Sequence, residues 1–422
     1  MRAIKHPEDD KPLTKPQQDL IKQIVDTAMA DKSLKTTFDV GRLSRELTRR
    51  CLEAMLNGEL SHHLAEEAQA RAPVNKRNGK HSKQLVDSDG KSLEINVPRD
   101  RNGTFVPQLI PPYSRRLPGF DDKVIALYAR GMTTREITAF IRDEYGIELS
   151  AAAISEITDS VLKDIEEWRS RPLKQGYPVV FFDAIRIKIR QGTTIASKAV
   201  HIAFGITATG QREVLGLWIM ESESATTWRS IFSQLQARGV KDIILVVTDG
   251  LNGMTDAIGS AFPEASHQTC IVHLLRTSAG LVGYKDRKAV CDALKPVYQA
   301  PDAVTAEEQL EAFAESDLGQ RHPYIIDAWR RQWAQVVPFF QYSPELRRLV
   351  YTTNAIEGLN RSIRKIIKTR AVFPTDDAAM KLVWLAMKNA TNDWSRRVQC
   401  WSQVQRELVV LYGERFTRML EA

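Results

Sequence analysis

The sequence predicts an α/β protein in which a strand-rich centre is interrupted by helices and preceded by further helical segments. Three observations predict it. Apolar residues recur at helical spacing over residues 17–72, 120–168 and 281–345; alternation and short apolar runs concentrate between 177 and 250; Gly, Pro, Asn and Asp cluster between these blocks. The 422 residues carry 59 Lys and Arg against 52 Asp and Glu, a net charge of +7, and 43% are hydrophobic. Such a chain has room for roughly two or three domains with real cores, and its modest basic excess favours an anionic partner. No apolar run approaches the ~18 residues that span a bilayer, and the opening MRAIKHPEDDKPLTKP lacks the apolar centre of a signal peptide, so a cytoplasmic protein is expected. Cys51, Cys270, Cys291 and Cys400 are scattered with no Cys-x-x-Cys, which argues against a disulfide framework and a four-cysteine zinc site.

Taken in order, residues 1–72 form a helical region, with Leu20, Ile21, Ile24, Val25 and Ala28 in one stripe and Leu43, Leu47, Leu52, Met55 and Leu56 in another. Residues 73–112 turn basic and rich in Gly, Asn, Asp and Pro; RNGKHSK and the alternating LEINVPRDRNG suggest a β-hairpin, either laid along a DNA backbone or serving as a polar linker. Residues 113–172 read as three helices, the last opening at a Ser150 cap, with a turn at Gly146 in the helix-turn-helix manner. That unit contacts DNA or packs and dimerises, since Ala151, Ala152 and Ala153 offer little with which to read bases. From 173 to 280 strands are expected at 177–190, 198–210, 212–222 and 242–250, with a helix at 224–239 before the last. Three strands in hairpin succession, then a helix and a strand, is the opening order of an RNase H-like core. Residues 281–345 form an all-helical insertion, and residues 346–422 supply the second part of the core.

Three carboxylates stand out. Asp183 follows VVFF and falls on the apolar parity of a strand in which Ile185, Ile187 and Ile189 alternate with Arg186, Lys188 and Arg190. A carboxylate there is costly unless compensated, and a metal ion compensates it. Asp249 ends the strand ILVV and precedes Gly250, which permits a tight turn. Glu357 opens a helix whose apolar stripe is Ile356, Leu359, Ile363, Ile366 and Ile367 and whose other face carries Arg361, Arg364, Lys365 and Lys368. Taken alone, each aspartate reads as a turn residue after a strand and the glutamate as half of a surface ion pair. Together they suit phosphodiester chemistry, in which two Mg²⁺ or Mn²⁺ ions held by oxygen ligands activate the attacking oxygen and stabilise the leaving one. Asp183 would bridge the ions, with Asp249 and Glu357 completing one site each. The four cations on the Glu357 helix, together with Arg186 and Lys188, are the candidates for phosphate contacts.

The segments FFDAIRIKIR, VLGLWIMESESATTW, RGVKDIILVVTDGLNG, QTCIVHLLRTS, LKPVYQAP and YTTNAIEGLNRSIRKIIKTRAVFPTDDAAMKL, in this order, resemble the bacterial Mutator-type DDE transposases of insertion sequences. The resemblance extends from NVPRDRNGTFVPQLIP to NDWSRRVQCWSQVQREL and so covers nearly the whole chain. It implies an RNase H-like catalytic core with a helical insertion, an acidic triad at Asp183, Asp249 and Glu357, and metal-dependent cleavage at element ends with strand transfer of the 3′-OH. It further implies double-stranded DNA as partner, both terminal repeats and target, and a homodimer or larger assembly on DNA in the bacterial nucleoid. Gly358 departs from the family, which more often carries Ser there. The resemblance also singles out Cys270 and His273, as structural support for the site, half of a zinc site, or a direct contact with substrate. Trp329 and Trp333 are core residues or, as in related transposases, a stacking platform for an unpaired base. A DNA-binding regulator without catalysis and a structure-selective nuclease of the same fold are the alternative readings.

Overall fold

The computed structural model describes residues 14–422 except 31, 33, 70–74, 88, 89, 118, 146, 222, 223, 251, 252, 352, 353, 393, 395 and 422, and except the side chains of 69 and 354–356. The chain divides into two compact units, Met1–Tyr128 with Met132–Thr158, and Ala129–Gly131 with Asp159–Ala422.

The first unit opens with helices α1 (Lys15–Ala30) and α2 (Thr37–Gln69). The spacing predicts one helical stretch here, and a capping box divides it. Asp39 Oδ2 accepts the N–H of Thr36 at 3.0 Å, while the Asp39 N–H donates to Thr36 Oγ1 at 3.3 Å, so α2 starts afresh. The apolar stripe of α1 buries none of its residues, whereas α2 buries Leu56 and Leu60. The expected hairpin is present as antiparallel strands β1 (Arg77–Val86) and β2 (Ser92–Asp100). Its apolar side, Leu85, Leu93, Ile95 and Val97, packs with Leu56, Ile110 and Leu117 into a small core. Helices α3 (Phe120–Ala129), α4 (Thr134–Tyr145) and α5 (Ala151–Ser170) lie where the periodicity predicts them, and Ser150 Oγ accepts the Ala153 N–H at 3.0 Å as the expected cap. The turn residue Gly146 lies outside the described residues.

The second unit is built on a five-stranded sheet. Strands β3 (Gly176–Gln191), β4 (Thr194–Ile206) and β5 (Arg212–Met220) form an antiparallel succession; β6 (Asp242–Thr248) and β7 (Ser266–Thr269) add in parallel, giving the order β5-β4-β3-β6-β7. Four of these strands follow the sequence pattern; β7 does not. Helices α6 (Ala225–Ala237) and α7 (Met254–Ala261) seal a core through Trp228, Ile231, Phe232, Met254 and Ile258 against Val180, Phe182, Ile243 and Val246.

A second core gathers Val179, Phe181, Leu245 and Val247 with α8 (Ile271–Gly280) and the helices that follow. These are α9 (Arg287–Ala293), α10 (Lys295–Gln299), α11 (Ala303–Glu315), α12 (Asp317–Arg321), α13 (Pro323–Arg331), α14 (Trp333–Val336) and α15 (Pro344–Tyr351). Helices α16 (Asn354–Ile367), α17 (Asp376–Thr391), α18 (Trp401–Tyr412) and α19 (Glu414–Glu421) complete the unit. From α19, Arg415 pairs with Asp242 at the start of β6 at 2.7 Å and also donates to the Ile243 carbonyl at 2.9 Å, while Met419 packs over Gly176 at the start of β3. Among the described residues no helix is long and apolar enough to cross a membrane.

Two histidines in this unit titrate far from their ordinary range. His201 on β4 is fully buried, its ring 4.5 Å from that of Trp228, and burial together with the charge of Arg186 lowers its pKa to about 4. His267 on β7 lies between the hydroxyls of Thr248, at 2.8 Å, and Thr255, at 3.0 Å, and burial lowers it to about 4. Below about pH 6.5 the unfolded chain binds protons that the folded protein refuses. Stability is therefore full above pH 6.5 and falls as the pH drops toward 4, by on the order of 3 kcal/mol for each histidine. Urea unfolding followed from pH 8 to pH 4.5 should show this loss, and His201→Leu should remove about half of it; an unchanged pH dependence in that variant would count against the assignment.

Candidate active site

Asp183 lies in the middle of β3, and Asp249 follows directly on the end of the neighbouring parallel strand β6. The last parallel pair is Phe181 of β3 with Val247 of β6, on strands ~4.8 Å apart, and each aspartate follows two residues later, Asp183 still within β3 and Asp249 just beyond β6. Within β3, period two puts Asp183 in step with Val179 and Phe181, towards the core that holds α8 and α13. Asp183 is 4% exposed, as its parity predicts. Its Oδ1 accepts the Ala184 N–H at 2.7 Å, and its Oδ2 accepts Nδ2 of Asn360, a residue itself 2% exposed on α16.

Glu357 reaches the same place from the first turn of α16, where Leu359, Ile363 and Ile367 are buried as the stripe predicts and the side chain of Ile356 lies outside the described residues. Burial pushes the pKa of Asp183 up and the Glu357 carboxylate pushes it the same way, while His273, the Ala184 N–H and Arg364 pull it down; the net shift is upward. Glu357 is ion-paired with Arg276 at 2.8 Å. His273 and Arg276 lie three apart on one face of α8, so one helix brings a nitrogen-bearing side chain towards each carboxylate. His273 Nδ1 is buried without a hydrogen-bond partner.

The Asp249 turn is tight. Gly250 has φ +82°, and a Cβ there would come within 2.8 Å of Oε1 of Gln332, which enters from the bend between α13 and α14. Cys270 is 2% exposed at the start of α8, and its N–H donates to the Thr248 carbonyl at 2.7 Å, tying α8 to the end of β6. Both ring nitrogens of the neighbouring His267 are occupied by hydroxyls, and among the described residues no three His, Cys, Asp or Glu side chains stand as a ready metal cluster. The carboxylates nonetheless fit hard divalent cations. A buried Asp183 with a glutamate close enough to raise it, and the half-buried Asp249 after the neighbouring strand, are hard oxygen donors of the kind such ions take, and Arg276 shows that Glu357 already takes a cation.

Arg361, Arg364, Lys365 and Lys368 are all exposed along α16 and its end, on the side away from the buried stripe. Arg186 and Lys188 are exposed on the parity opposite to Asp183, so β3 sends them to the other face of the sheet. Trp329 is fully buried, with Nε1 donating to Ser278 Oγ at 3.0 Å, and Trp333 is partly buried against the same core. Gly358 has open space around it, so a serine would fit. Asn360, Arg276 and Gln332 are not among the residues that the sequence pattern singles out. Asn360 carries a usable signal, since three residues after Glu357 is the next position on the same helical face. Gln332 carries none.

Comparison with known proteins fits this arrangement. Residues 20–397 match the family described as "Transposase, Mutator family". The transposase for insertion sequence element ISRM3 of Rhizobium meliloti (strain 1021) is 45% identical over 395 residues, 94% of this chain and 98% of that protein. A protein of Sinorhizobium fredii (strain NBRC 101917 / NGR234), named "Probable transposase for insertion sequence element ISRM3-like", matches at the same 45% and the same shares. The transposase for insertion sequence element IS905 of Lactococcus lactis subsp. lactis (strain IL1403) is 31% identical, covering 85% of this chain and 92% of its own.

Proposed function

The chain belongs to the Mutator family of transposases, and from that premise we propose that it is a DDE enzyme on an RNase H-like core, which cleaves DNA at the ends of its insertion sequence and joins the freed 3′-OH to target DNA. One observation supports the reading: Asp183 is buried on β3, Asp249 follows the end of the adjacent parallel strand β6, and Glu357 is close enough to perturb Asp183.

In the first step water attacks the phosphorus at the element boundary and the bond to the 3′ oxygen breaks, leaving a 3′-OH. In the second that hydroxyl attacks a target phosphodiester and displaces another 3′ oxygen, so the count of phosphodiester bonds is kept. Asp183, Asp249 and Glu357 would hold two Mg²⁺ or Mn²⁺ ions, which supply activation of the attacking oxygen and stabilisation of the leaving one when bound. The Ala184 N–H and the Asn360 amide hold the Asp183 carboxylate in one orientation. Arg276 balances Glu357 in the metal-free protein. Arg361, Arg364, Lys365 and Lys368 grip substrate phosphates beside the carboxylates. The helical and helix-turn-helix regions before the sheet bind the terminal repeats, and because two ends must meet, the working form is a dimer or larger assembly on DNA.

The test is incubation with Mg²⁺ or Mn²⁺ and a labelled duplex carrying the element's ends, beside Glu357→Gln. Boundary cleavage and joined products from the parent protein alone support the transposase. Cleavage without joining assigns a nuclease, and binding without cleavage by either protein assigns a regulator. For the phosphate grip, neutralising Arg364 and Lys365 together should weaken DNA binding and lower the slope of log affinity against log salt by about 1.8, at ~0.9 per phosphate contact. An unchanged slope sinks that role.

A further inference from the structure

The turn after β2 holds a tyrosine that the fold does not need. Tyr113 has φ +68°, the left-handed region that a bulky side chain avoids, and it is 96% exposed, so its ring packs on nothing. Yet the turn around it is firmly built. The Ser114 N–H donates to the Pro111 carbonyl at 3.1 Å, Ser114 Oγ donates to the Arg116 carbonyl at 3.0 Å, and Lys83 Nζ reaches from β1 to the Pro111 carbonyl at 3.0 Å. On the far side the Val86 N–H donates to the Arg115 carbonyl at 2.9 Å and the Leu117 N–H donates to the Val86 carbonyl at 2.7 Å. Ile110 and Leu117, on either side of the turn, are both buried in the small core of this unit. The result is a rigid tooth with an aromatic ring at its tip. Glycine would keep such a turn without strain, so the ring answers to something outside the folded chain.

The surroundings say what it meets. Arg115 is exposed beside the ring, and β1, whose last residue Val86 is hydrogen-bonded to this turn, carries Arg77, Lys80 and Lys83 with no carboxylate along its ten residues. Arg77 is held by Asn57 and Ser61 and Lys83 by the Pro111 carbonyl, while Lys80 and Arg115 are exposed. Exposed cations beside a preordered aromatic ring fit duplex DNA: cations on phosphates, and the ring on a sugar edge or an opened base step. We propose that Tyr113 and Arg115, on the turn bonded to the end of β1, form a contact surface for duplex DNA in which the Tyr113 ring packs against the nucleic acid and Arg115 pairs with a phosphate. This rests on the DNA-joining reading above.

The experiment measures binding of the full chain to a fluorescent duplex of the element's end by polarisation, with the thermal midpoint followed in parallel. Tyr113→Gly is expected to melt at or above the parent's temperature, because the strain is gone, and to bind about tenfold more weakly, which is about 1.4 kcal/mol. Tyr113→Phe should bind within about twofold of the parent, since the ring and not the hydroxyl makes the contact. The salt slope should stay unchanged in Tyr113→Gly and fall by about 0.9 in Arg115→Ala. Parent-like affinity in Tyr113→Gly, or weaker binding accompanied by a clear fall in its melting temperature, overturns the proposal alone when the parent still binds and cleaves. A parent protein that neither binds nor cleaves the end duplex overturns both readings.

Discussion

Asp183→Asn is expected to abolish cleavage and joining while leaving the fold at least as stable. The amide keeps the size of the side chain and can still accept the Ala184 N–H, but it gives up the charge that a metal ion requires. Loss of about 10³-fold or more in cleavage rate is expected, roughly 4 kcal/mol of barrier. Stability moves the other way. In the metal-free protein the buried carboxylate is held by burial and by Glu357 against its own ionisation, so removing the ionisable group relieves a cost. Single-turnover cleavage of a labelled end and a melting curve on the same preparations check both halves. Retained cleavage would remove Asp183 from the chemistry, and a collapsed melting temperature would make it a structural residue instead.

Trp329→Ala should have the largest effect on folding, a loss of about 3–5 kcal/mol from the cavity left in the core. Trp329 is fully buried, among side chains of α8, α13 and α15, and its indole N–H is satisfied by Ser278. Its burial bears on the reading of Trp329 as core or as stacking platform, Trp333 being only half-buried. A ring that served as a platform for an unpaired base would be exposed before DNA arrived, and its removal would leave unfolding unchanged. The urea midpoint of the variant decides: no shift would overturn the core assignment. Trp329→Phe should lose less, through a smaller cavity and a Ser278 hydroxyl left without its donor.

Much of the second unit can be read from the chain because its strands are locally consistent. VVFF and ILVV are buried on both faces, IRIKIR alternates, and parity alone assigns Asp183 to the inner face. The helix of Glu357 is equally legible from its stripe. What is not legible depends on partners distant in sequence. SHQT is four residues with no apolar pattern, and it becomes β7 only because β6 offers an edge beside it. The division between α1 and α2 rests on one reciprocal pair of hydrogen bonds, which periodicity does not register. Asn360 and Arg276 hold the carboxylates from helices 177 and 81 residues away from them, as 360 − 183 and 357 − 276. The divergence of Arg186 and Lys188 from Asp183 is contained in the alternation itself, since residues of opposite parity face opposite sides.

The pairing of Arg415 with Asp242 and of Met419 with Gly176 sets a schedule for the newborn protein. The central strands are complete once residue 248 is joined, but the helix that fastens their starting ends is reached 415 − 248 = 167 residues later. At ~5–20 residues per second, that is an interval of roughly ten to thirty seconds. During it both aspartates exist on strands still lacking their clasp, and Glu357 itself appears only part-way through. A nascent chain therefore fastens its carboxylate-bearing sheet late, after the helices and hairpin at its front have had time to fold, and a premature stop close to residue 415 would leave a molecule with those front segments made and a loosened sheet behind them.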